Sequence, residues 1–162
     1  MGQCRWIPEP EGRYECREPA HQSSTSGRCI FHMPADEKRV LRLEQVFVQK
    51  VVEKFEAVER DANITSHDYR GFVFPDGFDS FNKNRFGKPA DFSRATFGDE
   101  FDLVQAEFLF PVKFHRARFG DRADFHASQF RQYANFDHAA FGNQIRFEHT
   151  SFVEDADFAG AQ

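Results

Sequence analysis

The chain has 162 residues, 29% of them charged, with a net charge of −5. That is room for one domain, or one domain with a small appendage. A mildly acidic balance gives no prior for nucleic acid or an anionic membrane surface, and no apolar run approaches the ~18 residues that cross a bilayer.

Residues 1–33 carry all three cysteines, Cys4, Cys16 and Cys29, and His32 closes a Cys29-Ile30-Phe31-His32 turn. There is no secretory h-region, and Trp6 stands where an N-myristoylation motif after Gly2 needs Ser or Thr. Three cysteines without an export signal point to a reducing, cytoplasmic setting, where thiols more often bind metal or stay free. A Cys-x-x-His turn plus two further cysteines supplies a Cys3His set for a structural Zn2+ at Cys4, Cys16, Cys29 and His32, with His21 as a spare ligand. The polar stretch from Pro19 to Gly27 has no core of its own and needs a staple to be ordered. The spacings of 11 and 12 residues between cysteines are looser than in a standard finger. Free or buried thiols, or a disulfide, remain open.

Residues 34–62 have a different period. Val40, Leu43, Phe47, Val51, Phe55 and Val58 recur every three or four residues, which predicts one amphipathic α-helix. Pro34 suits its first turn, and Asp36 and Glu37 sit where the helix dipole favours acids. The link from Asn63 to His67 is polar and turn-like. Phe72, Phe74 and Phe78 then fall outside the register that follows, which predicts an irregular first coil.

Phenylalanine is the anomaly of the composition: 22 Phe against three Tyr and one Trp. From Phe81 one large apolar residue recurs without a break: Phe81, Phe86, Phe92, Phe97, Leu103, Phe108, Phe114, Phe119, Phe125, Phe130, Phe136, Phe141, Phe147, Phe152 and Phe158. The steps alternate five and six, so the period is eleven. From Phe92 on, a small residue stands two before most anchors, as in Ala90, Ala95, Ala106, Val112, Ala117, Ala123, Ser128, Ala134, Ala139, Thr150 and Ala156; Phe101 and Ile145 are the exceptions. On an α-helix, anchors five apart lie about 140° apart and cannot form one seam. In a strand, residues i−2 and i share a face. Small-polar-Phe therefore reads as a very short strand with both ends inward, followed by a corner. Four such sides close a square coil of 22 residues, and coils stack as parallel strands about 4.8 Å apart. Gly98, Gly120 and Gly142 recur every 22 residues, each followed by Asp99, Asp121 or Asn143, a turn signal confined to one corner.

Ala90-Asp91-Phe92-Ser93-Arg94, Ala123-Asp124-Phe125-His126-Ala127 and Ala134-Asn135-Phe136-Asp137-His138 resemble the pentapeptide repeat, A-(D/N)-(L/F)-x-x, over roughly residues 72–162. The resemblance implies a mainly β protein built as a right-handed quadrilateral β-helix. Cys-rich heads precede the repeats in some members of that family. The expected organisation is a Cys/His-rich head at 1–33, a capping helix at 34–62 and a β-helix at 68–162. The helix would cover the phenylalanines of the first coil, since terminal repeats need a cap.

No phosphate loop, nucleophile elbow, His-Glu-x-x-His or dinucleotide fingerprint is present. The spacing of His115, His126, His138 and His149 is a by-product of the repeat and reads as outer-face histidines. The acidic pairs Asp99-Glu100 and Glu154-Asp155 read as solvated corners. The expectation is a non-enzymatic scaffold or protein-interaction module whose partner the sequence does not identify. The family supplies an alternative, a DNA-mimicking binder of type II topoisomerases. That needs a dominantly acidic surface, whereas 79–162 holds 13 Asp/Glu against 10 Lys/Arg. The next anchor is due at position 163. Ala161 and Gln162 already fill the two positions before it, so the last coil is expected to continue in a longer chain or to serve as a homodimer interface.

Overall fold

The computed structural model describes residues 2–6 and 16–162. Two helices, α1 (Ala35–Val40) and α2 (Glu44–Arg60), precede a parallel β-solenoid of two-residue strands. One side of the coil stacks β1 (His67–Asp68), β4 (Ala90–Asp91), β7 (Val112–Lys113), β10 (Ala134–Asn135) and β13 (Ala156–Asp157). A second stacks β2 (Val73–Phe74), β5 (Thr96–Phe97), β8 (Arg118–Phe119) and β11 (Ala140–Phe141). The third is a column of single parallel bridges, Asp102 to Asp124 to Arg146. The fourth stacks β3 (Arg85–Phe86), β6 (Glu107–Phe108), β9 (Gln129–Phe130) and β12 (Ser151–Phe152).

Strands of two residues carry few hydrogen bonds each, so the interior must hold the coils in register. It does so with rings. Phe92, Phe114, Phe136 and Phe158 stack face to face at 5.0, 4.8 and 4.7 Å between centroids. Phe97, Phe119 and Phe141 do the same at 4.6 and 5.1 Å. These separations match the strand spacing of about 4.7–4.9 Å, so one ring per side per coil fills the rise without strain. The small residues two before the anchors are buried beside them, from Ala90 to Ala139.

The polar residue between them does more than face water. Asp91, Asp124, Asn135 and Asp157 each accept, through Oδ1, the amide of the residue two further on, at 2.7–2.9 Å. This Asx turn starts the corner. It is the physical reason for Asp or Asn in the repeat.

The first coil is more regular than expected. Tyr69 and Phe74 are its first anchors, stacked on Phe92 and Phe97 at 4.8 Å each. Its strands pair 23 residues on, His67 with Ala90 and Val73 with Thr96. The later strands pair 22 on, Ala90 with Val112. The one extra residue lies between Phe78, which stacks over Phe101, and Phe81. That insertion put Phe72, Phe74 and Phe78 out of the sequence register.

The expected single helix is two. Leu43 N–H reaches back to Lys38 O at 2.8 Å, and Arg42 takes φ 56°, a left-handed stop that ends α1. Val40, placed on the buried face by periodicity, is 81% exposed. Lys38, on the polar face by the same count, is fully buried, because its ammonium donates to the carbonyls of Met33 and Val73. α2 lies across the open end of the first coil: Phe47 meets Phe74 edge-on at 5.5 Å, and Phe55 meets Phe86 at 5.0 Å. Among the described residues no helix is long and apolar enough to cross a membrane.

Candidate metal centre

The N-terminal segment is too short and polar for a core of its own; Cys4, Cys16, Cys29, Ile30 and Phe31 join the main buried cluster, and backbone pairing brings the thiols together. Gln3 bridges Pro19 antiparallel, with Cys4 N–H donating to Glu18 O at 3.0 Å and Ala20 N–H to Gly2 O at 2.9 Å. This brings Cys4 beside Cys16. Arg5 N–H to Gly27 O and His21 N–H to Arg28 O, both 3.0 Å, deliver Cys29 to the same point. The tight turn from Cys29 closes through His32 N–H and Met33 N–H on Cys29 O, at 3.2 and 2.9 Å.

Cys4, Cys16, Cys29 and His32 are all buried, and their donor atoms lie within 4.8 Å of one another. The three cysteines are free thiols. The Sγ atoms of Cys16 and Cys29 are 3.7 Å apart; His32 Nδ1 is 3.7 Å from Cys4 Sγ and 3.2 Å from Cys29 Sγ. A tetrahedral zinc with bonds of about 2.3 Å to sulfur and about 2.0–2.1 Å to nitrogen would set its sulfurs roughly 3.8 Å apart and sulfur roughly 3.6 Å from nitrogen. The donor set and its spacing therefore fit a tetrahedral, thiolate-rich ion.

The surroundings support that role. His32 Nε2 is 2.9 Å from Arg70 O, so the ring donates outward and turns Nδ1 to the thiols. Trp6 stacks on the imidazole at 4.2 Å, and Phe72 meets it edge-on at 5.5 Å. Cys29 N–H donates to Cys4 Sγ at 3.1 Å. The thiols of Cys16 and Cys29 titrate as a pair. The hydrogen bond from Cys29 holds Cys16 well below the ordinary thiol range, at about 4, and that same bond together with burial pushes Cys29 up. Thiolates are the metal-binding form, so binding here would release thiol protons.

The spare ligand His21 stays outside the cluster; its Nδ1 accepts Ser23 N–H at 3.3 Å. The roles of Trp6 and Arg70 O were not legible in the sequence, because both are set by where the first coil sits. The outer-face histidines pair locally: His115 Nδ1 is 3.0 Å from Asp137 Oδ2, and His138 bonds the other oxygen of that carboxylate. No protein-family model, curated protein or solved structure matches this chain.

Proposed function

We propose that this chain is a non-catalytic scaffold, a solenoid of the pentapeptide-repeat kind that presents its outer coil faces to a protein partner and carries one structural Zn2+ at Cys4, Cys16, Cys29 and His32. The observation that carries the reading is the filled interior. Stacked rings and small residues occupy every side of the coil, and among the described residues no buried side-chain nitrogen or oxygen lacks a partner. A substrate would have no room there. Four protein donors would likewise complete a zinc shell and keep no position for water, as in structural rather than catalytic sites.

The outer faces weigh against the DNA-mimicking alternative. Glu107 is flanked by Arg85 at 3.3 Å and Arg131 at 3.0 Å, from the coils before and after it. Glu100 pairs with Arg122 at 2.7 Å. Acidic residues answered by arginines one coil away do not make the continuous anionic track that DNA mimicry needs.

Native mass spectrometry of chain purified without chelator tests the metal. One zinc is expected, lost in Cys29→Ser; metal-free protein overturns that half of the reading. Inhibition of gyrase supercoiling by the chain would favour the alternative over the scaffold reading.

A further inference from the structure

Each coil donates to the next in a fixed way. At one corner the left-handed residue gives its amide to the carbonyl just past the following coil's anchor. Gly71 donates to Ser93 O, Arg94 to His115 O, Arg116 to Asp137 O and His138 to Ala159 O, at 2.7–3.0 Å. On the second side, Thr96 donates to Phe72 O, Arg118 to Ala95 O and Ala140 to Ala117 O, at 2.8–2.9 Å. Among the described residues no earlier coil completes these two series. Arg70 O, just past the anchor Tyr69, needs a donor. Val73 N–H needs an acceptor.

Both come from the Cys29–His32 turn. His32 Nε2 lies 2.9 Å from Arg70 O, and Phe31 O takes Val73 N–H at 2.8 Å. The Phe31 ring stacks on Phe72 at 4.5 Å and 10°, the same face-to-face contact that joins ring to ring between coils. Val73 O, on the same edge, is met by the buried ammonium of Lys38.

We infer that the Cys29–His32 turn stands in for the coil before the first, and that metal binding at Cys4, Cys16, Cys29 and His32 controls whether the solenoid's N-terminal edge is closed. This rests on the metal reading above. An ion bound by donors drawn from position 4 to position 32 would pin the turn in place, coupling metal binding to the order of this segment. An ion on Nδ1 leaves the imidazole proton on Nε2, which makes His32 a donor to Arg70 O. Solenoid coils contact only their neighbours, so loosening one end frays the nearest coil first. The freed edge would expose strand amides and the ring of Phe72, a surface prone to pairing with another chain.

Hydrogen exchange on the full chain, with one equivalent of Zn2+ and then after EDTA, tests this. Removing the ion should speed exchange at Val73 N–H at least tenfold, leave residues 112–136 unchanged, and reverse when Zn2+ is restored. Cys16→Ser should behave like the chelated chain. If native mass spectrometry shows one zinc and its removal leaves Val73 equally protected, the control of the edge is overturned while the metal reading stands. If no zinc binds, the metal reading fails and this inference falls with it. Uniform loss of protection along the chain would also overturn it, since the ion would then be a requirement for folding rather than a closure at one end.

Discussion

Phe125 and Phe147 lie face to face, with ring centroids 4.6 Å apart and planes 8° from parallel. Phe125 is fully buried; one coil earlier its column holds Leu103 instead of a ring. Phe125→Ala should therefore cost about 3–5 kcal/mol, as other buried Phe truncations do. Lys113→Ala, at an exposed site, should stay within about 0.5 kcal/mol. Asp124 is a poor neutral control, because it starts the Asx turn to His126. Equal denaturation midpoints for the Phe125 and Lys113 variants would contradict the packing account.

Gly120 is needed for close approach and not for a left-handed backbone. A Cβ there would stand 2.5 Å from Asp99 Oδ1 and 2.8 Å from both Asp99 N and Gly98 C. Most of that neighbourhood is backbone, and Asp99 Oδ1 is held by Asp121 N–H at 2.9 Å. Gly120→Ala should cost about 1–3 kcal/mol through overpacking. An unchanged melting temperature would show that the corner relaxes freely.

Lys88 ties the solenoid to the C-terminal end of α2. Its ammonium donates to Asp61 O and Ile64 O at 2.7 Å each, and also to Val58 O. A cation at a helix C-terminus adds to those bonds. Lys88→Met should lower stability by about 1–3 kcal/mol, and exchange should rise at Val58–Asp61 before it rises in later coils. Exchange rising first in the last coil would refute the placement.

His67 makes stability depend on acid. Burial lowers its pKa, against the opposing pull of Glu59, whose Oε1 is 2.6 Å from Nε2. Tyr69 OH lies 3.3 Å from Nδ1, which fits a neutral ring donating to Glu59 and accepting from the phenol. The unfolded chain takes a proton at about pH 6.5, while the folded chain resists it to lower pH. Stability is therefore undiminished above about 6.5 and falls as pH drops from there toward the folded value, by at most ~1.4 kcal/mol per pH unit. In His67→Gln this component should vanish. Identical acid slopes for wild type and variant between pH 6.5 and 5 would rule it out.

The solenoid was legible because its information is local and repeated. Each coil copies the last, so one misfit such as Phe101 or Ile145 could not hide the 22-residue spacing. The helical region had no such redundancy. Six apolar positions at helical spacing suggested one continuous helix, and only the contact of Lys38 with Val73 O, 35 residues on, shows why the chain turns out of α1. Tyr69 escaped notice as an anchor for a related reason: it is not Phe, and one inserted residue separates its coil from the regular ladder.

From the sequence alone came the square coil, the inward and outward faces, the glycine corner and the four candidate donors, since spacing and residue type determine which side chains share a face. Tertiary structure decided what spacing cannot. It divided the helix, assigned the Asp and Asn side chains to turns, and seated His32 rather than His21 beside the thiols. That last choice depends on Arg70 O and Phe72, which belong to the first coil and reach the head only once the chain has folded back over its own edge.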